Sequence, residues 1–491
     1  PTCPTTMATT PRVAAATLQE ALVRGRAALR ANQHEAGKHG GSLIVHIGHW
    51  DSPRTHLAAL AGALGLRPAS VWHCAHTREV IVAMSQPVGD GQAPSSRVRS
   101  SCCTLDTVHV SVGLMACAQL AAKLLEPNGE LEPNGRPTDL VTKQPFHDTF
   151  FAGVAFASLE DEVSAYCVLD LLNFGSGYKS ELAAMRLGQY KHGDWGSAFV
   201  VMAEGVQSAA REAPWNALRM VSWRGSDTER HFGLPEHAAG DDAPTTALAE
   251  LNQLVTSALR DSGRALLDAQ HSSIGAFVLA HLSGEASHTA RPSASRLIDA
   301  LVSLLPVFAD SAVVPPGAST LRSTPVHDAG GDGGGPGGAG SSGRCAQTAA
   351  PVHVHLLKKV QLLVASLREH FSARDARFDF ADLGLLTVSA DPVIPAVLRA
   401  EGCLEYSPEL AAAVDGHRPL EADSLEELAI RAGAVAACEA VLAVARELDG
   451  GRNVAVALDA SSLDLRLWGV LGKSRMHRTA PRHIAKGTYW H

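Results

Sequence analysis

The stretch from Phe378 to Leu410, FDFADLGLLTVSADPVIPAVLRAEGCLEYSPEL, constrains the fold more than any other part of the chain, because it writes two helix starts and one helix stop in close succession. Asp391 precedes Pro392, whose fixed φ suits the first helical position, and Val393, Ile394, Val397 and Leu398 follow at helical spacing. Asp391 therefore reads as an N-cap. Gly402 ends that helix, and Ser407 with Pro408 opens the next by the same cap-then-proline logic. The result is a compact helix, turn, helix unit with a carboxylate at a helix start. On spacing alone, Asp391 is a cap.

Helical periodicity extends over most of the chain beyond residue 96, and strand signals are sparse, so the fold expected is mostly α. Helices are expected at Asp161 to Leu172, running into NFGSGY, at Ala247 to Ala269, Ser273 to Leu282 and Ser295 to Leu305, and again from Leu356. Ser424 and Glu427 form a capping-box pattern for a long helix reaching about Leu448. Residues 315–350 change to Gly, Ser and Pro, a composition that buries too little apolar surface to order itself, and read as a flexible insertion. The LEPNG pair at Leu125 and Leu131 is a duplicated turn. Residues 1–95 read as a small N-terminal α/β extension, with a strand and a capped helix in residues 42–66.

Hydrophobic residues make up 46% of the chain and charged residues 19%, and no apolar run approaches the roughly 20 residues of a bilayer span, so no membrane association is expected. A net charge of −8 argues against direct nucleic-acid capture, which rests on clustered Lys and Arg. Nine Cys without framework spacing fit a reducing, cytoplasmic setting. Residues 1–33 carry Arg12, Arg24, Arg26 and Arg30 against Glu20 alone, a composition compatible with an organelle transit peptide and equally with a surface helix from Ala14 to Ala31. Cys102 and Cys103 lack partners at ligand spacing. His353 and His355, although on one face of a strand, make a weak pair, so neither metal nor organic cofactor is expected.

Several blocks in order resemble the queuosine salvage family, from about Arg97 to Trp490. They are VRSSC at Val98, VLDLLNFGSGY at Val168, DSGRALL at Asp261, PVFAD at Pro306, KKVQLLVA at Lys358, DLGLLTVSADPVIPAVLRAEGCLEY at Asp382, EELAIRAGAVAACE at Glu426 and HRT at His477. The resemblance implies a helical domain over residues 96–491, similar to the helix-hairpin-helix DNA glycosylases, and hydrolysis of the N-glycosidic bond of queuosine 5′-phosphate to release queuine for tRNA modification. It makes Asp391 the catalytic carboxylate. It also implies base contacts from His147, from the position of Ser389, and from Asp464, whose carboxylate suits the amine-bearing arm. Lys358, Lys359 and Arg478 are the candidates for the 5′-phosphate. Asp170 and Asn173, polar in an apolar segment, read as a lock on the turn after their helix.

Four positions depart from the family pattern. Ser389 replaces the aromatic of a Phe-Ala-Asp triplet, Leu465 replaces a tyrosine, Gly469 replaces a second aspartate, and Ser366 stands where many members have Asp. Stacking on a lost ring is typically worth about 1–3 kcal/mol. Two other readings follow: a diverged, non-catalytic helical binding protein, favoured by these losses, and a DNA glycosylase, disfavoured by the acidic charge.

Overall fold

The computed structural model describes residues 110–125, 151, 153–189, 196–238, 243–286, 291–314, 352–448, 459–474 and 477–491. The expectations for residues 1–95, VRSSC, both LEPNG turns, His147 and the Gly-rich stretch 315–350 lie outside them.

The described chain is mostly helical. It runs β1 (Val110–Val112), α1 (Leu114–Leu125), α2 (Leu159–Leu171), α3 (Lys179–Ala184), α4 (Ala198–Glu212), α5 (Ala217–Ser222), α6 (Gly225–Phe232), α7 (Ala243–Asp268), α8 (Ile274–Ala286) and α9 (Ala294–Leu304). After β2 (Ser311–Val314) and β3 (Val352–His355) come α10 (Lys358–Phe371), α11 (Val393–Ala400), β4 (Leu404–Tyr406), α12 (Pro408–Asp415), α13 (Leu425–Leu448) and α14 (Ala460–Leu465). The caps read from the sequence hold at both helices of the 378–410 unit. Ser407 Oγ accepts from the Leu410 N–H at 3.3 Å, Pro408 is the first residue of α12, and Gly402 at φ +77° stops α11.

Two details differ from expectation. The turn between α11 and α12 carries β4, which pairs antiparallel with β1, Val112 opposite Leu404. The capping box of α13 is half formed: the Glu427 N–H donates to Ser424 Oγ at 3.3 Å, but the Glu427 carboxylate turns inward to Arg431 and His491. A residue three after a cap can be taken by tertiary partners. β2 and β3 pair antiparallel, so the chain leaves toward residue 315 and returns at Val352 at one place.

Apolar side chains form two clusters. The first gathers α2, α4, α7, α8 and α9 with most of α10; α2 is buried from Val163 to Leu171, as expected for a helix apolar all round. The second gathers α1, α11, α13 and α14, with α13 packed on α1 and α11. Leu425–Ala445 of α13 is long and apolar enough to cross a membrane by composition, but 89% of that window is buried in the protein, so its apolarity has a core to serve. The clusters meet at the start of α10, where Leu357 and Val360 belong to the first and Leu356 and Val388 to the second.

Candidate functional site: a buried carboxylate pair at the seam of two cores

Charged side chains collect at this seam. Asp310, at the end of the first core, accepts the Lys358 N–H on Oδ2 at 3.1 Å, and its backbone carbonyl accepts from Leu356 and Leu357 at 3.0 and 3.2 Å. Leu357 lies in the left-handed region (φ 53°), a conformation that costs a non-glycine residue about 1–2 kcal/mol, and these bonds to Asp310 hold it there. The turn aims Lys358 into the seam. Arg431, on α13 and 1% exposed, donates to the Ala390 carbonyl at 3.1 Å, to Glu427 Oε1 at 3.3 Å and to Asp310 Oδ2. Its guanidinium fork thereby ties α13 to both the α10 entry and the strand of residues leading to Asp391.

Asp391 caps α11 as the spacing required: Oδ1 accepts from the Val393 and Ile394 N–H groups at 2.8 and 3.0 Å. Its Oδ2 has no hydrogen-bond donor among the described residues. Asp464, on α14, lies beside it. Asp464 Oδ2 accepts both the N–H and the Oγ–H of Ser389, each at 2.5 Å, while Oδ1 has no donor among the described residues. Burial pushes the Asp464 carboxyl up to about 7; the two bonds from Ser389 pull it down, Asp391 pushes it up and Lys358 pulls it down. The Lys358 ammonium, 4% exposed, donates to the Asn173 carbonyl at 3.3 Å. Burial lowers its pKa, and Asp391 is the largest opposing influence. Two carboxylates, each with one open oxygen, thus share a buried site with one ammonium.

The other expected site residues are placed as follows. Ser389 offers no stacking face; its role is to hold Asp464. Lys359 points away from the pair: it donates to the Leu171 carbonyl at 2.9 Å, and its ammonium lies 5.0 to 5.8 Å from the ring centres of Phe174, Phe308, Tyr489 and Trp490. Its charge interacts with Lys358, Asp310 and Asp170. Arg478 is exposed, in the turn after Ser474. Asp170 behaves as the turn lock expected: the Asn173 N–H donates to its carbonyl at 3.2 Å, and Ser366 and Asn173 hydrogen-bond its buried carboxyl, which burial raises to about 7.

Asp310 and Arg431 were not singled out from the sequence, although both lie in quoted blocks. The signal was there in each case: a single charge in an apolar run, PVFAD and LAIRAGAVA, which demands a buried partner.

The fold and site define a mostly helical protein with a carboxylate pair at a helix N-terminus. Residues 345–490 match the family model described as queuosine salvage protein. A queuosine 5′-phosphate N-glycosylase/hydrolase of Sphaerobacter thermophilus is 33% identical over 137 residues, which make up 28% of this chain and 40% of the relative. Residues 345–490 are thus similar to the queuosine salvage family, and the chain spans less than half the length of the curated relative it matches. The matched segment includes Lys358, Ser389, Asp391, Arg431 and Asp464.

Proposed function

We propose that the chain hydrolyses the N-glycosidic bond of queuosine 5′-phosphate and releases queuine. The observation that carries this reading is the pair of open carboxylate oxygens, Asp391 Oδ2 and Asp464 Oδ1, in a buried seam within the segment that matches the queuosine salvage family model.

Breaking the bond between C1′ and the base nitrogen builds positive charge on the ribose. An ionised carboxylate beside C1′ then stabilises the transition state more than the ground state. Asp391 suits that role, because the α11 N–H groups hold Oδ1 in place and leave Oδ2 for the sugar. A water supplies the oxygen that bonds C1′, and its proton balances the departing base. A 7-deazapurine has no N7 to protonate, so stabilising the sugar cation bears more of the barrier. Asp464 Oδ1 takes the secondary ammonium of the cyclopentenediol arm, and ion pairing there drives off the proton that burial favours. Lys358 takes the 5′-phosphate.

The Ser389–Asp464 bonds favour one second reading, a binding protein without turnover, since Ser389 stands where stacking is expected. Incubating the intact protein with queuosine 5′-phosphate and following free queuine by chromatography separates the two. Release supports hydrolysis; tight binding of the nucleotide without release supports the binding protein.

A further inference from the structure

Beside Arg431 lies a second group of buried chemistry that the proposed reaction does not use. Glu427 of α13 (0% exposed) meets His483 (3%) and His491 (1%) from the C-terminal tail. One ligand-capable atom from each lies within 4.8 Å of those of the other two. Glu427 Oε1 is occupied, accepting from Arg431 Nη1 at 3.3 Å and paired with His491 Nε2. Four atoms in the group have no hydrogen-bond partner: Glu427 Oε2, both ring nitrogens of His483, and His491 Nδ1. Buried polar atoms without partners are costly, so four of them in one place call for an occupant.

Its chemistry follows from the donors. Imidazole nitrogen and carboxylate oxygen together are the set that zinc and similar divalent cations take, and two His with one Glu leave a fourth position open. The His483 and His491 rings meet edge to face, with centres 5.0 Å apart. Zinc ligands at about 2.0–2.1 Å sit roughly 3.4 Å from one another, so the three side chains need draw in by only about 1–1.5 Å. The Arg431 guanidinium is a neighbouring positive charge. It pairs with Asp310 and donates to Glu427 Oε1, the oxygen that also meets His491 Nε2, which leaves Oε2 without a partner.

We propose that Glu427, His483 and His491 form a binding site for a divalent transition cation of the zinc class, which clips the C-terminal tail to α13. This departs from the sequence expectation of no metal, because the ligands come from segments more than fifty residues apart, with no recognisable spacing. The site has a structural logic. The same tail carries Tyr489 and Trp490 to the ammonium of Lys359, and the Leu420 N–H donates to its Ile484 carbonyl at 2.7 Å.

The test uses the full chain, stripped with chelator and titrated with Zn2+ or with Co2+, whose visible absorption reports the coordinating atoms. The expected result is one cation per chain, a Co2+ spectrum of low-coordinate nitrogen and oxygen ligation, and a thermal midpoint that rises with metal. His483→Ala and His491→Ala should each weaken binding at least about tenfold and remove the spectrum. The circular dichroism of each metal-free variant checks folding; if one fails to fold, the other carries the result. The proposal is overturned if the stripped chain shows no stoichiometric binding, or if binding and spectrum persist in a folded His variant. The latter outcome would assign the metal to others of the 23 His.

Discussion

Replacing Ser389 with alanine tests the electrostatics of the site. The substitution deletes the Oγ–H donor to Asp464 and leaves the backbone N–H donor in place. A hydrogen bond to a charged acceptor contributes about 1.5–3 kcal/mol, and 1.36 kcal/mol corresponds to one unit, so the Asp464 carboxyl should rise roughly 1–2 units above its present value of about 7. Stability gives a readout that needs no substrate. A carboxyl raised in the folded state contributes most below its unfolded value of about 4, and that contribution is lost as pH rises to the folded pKa. Ser389→Ala extends the loss by 1–2 units. In urea unfolding, variant and parent should therefore differ least near pH 5 and by about 1.5–3 kcal/mol near pH 9. In the hydrolysis assay, kcat/KM at pH 7 should fall roughly 5- to 50-fold and recover at higher pH, as the carboxylate fraction dictates. Ser389→Thr, which keeps a hydroxyl, should retain the parent profile. A deficit equal at pH 5 and pH 9 would refute the reasoning and leave Ser389 as a packing residue.

Three further outcomes follow from the same geometry. Arg431→Met leaves Asp310 without its cation and frees the Ala390 carbonyl, and should cost about 3–5 kcal/mol of folding free energy by urea unfolding. Glu162 is raised by burial, but its bonds to His370 and Arg374 outweigh this and hold its carboxyl at about 2; its stabilisation should be present above pH 4.5 and vanish as pH falls toward 2, and Glu162→Gln should flatten that acid limb in thermal melts. At Gly177 an added Cβ would overlap the Ala485 carbonyl oxygen, so Gly177→Ala should displace the tail and lower stability by about 1–3 kcal/mol in the same melts, whereas Gly284→Ala, with open space around it, should not.

What could be read from the sequence was local. The Asp391 cap, the Gly402 stop and the Ser407–Pro408 start are decided by neighbours within one helical turn, and each holds. Helix identity was equally plain for α2 and for α7 to α13, with ends displaced by a few residues, whereas α3 to α6 were not singled out. The seam was not, because it joins positions far apart: Arg431 reaches Asp310 across 121 residues, and Ser389 reaches Asp464 across 75. Lys358 and Lys359 show the limit most clearly. Adjacent in sequence and alike in chemistry, they were indistinguishable as phosphate candidates, yet successive helical positions point about 100° apart. One turns to the carboxylate pair, and the other into a box of four aromatic rings. Likewise Ser389 looked like a lost stacking residue, and only the fold supplies the partner that gives it a role.

The central claim is that the charge of Asp391, beyond its capping bonds, performs the hydrolysis. Asp391→Asn separates the two, because Asn caps a helix as well as Asp and its side-chain oxygen can still accept from Val393 and Ile394. The direct measurement is queuine release from queuosine 5′-phosphate by the intact protein beside this variant, with thermal melts of both. The account predicts an unchanged melt and release lowered about 10²- to 10³-fold. Release at the parent rate by a folded Asp391→Asn protein would contradict it.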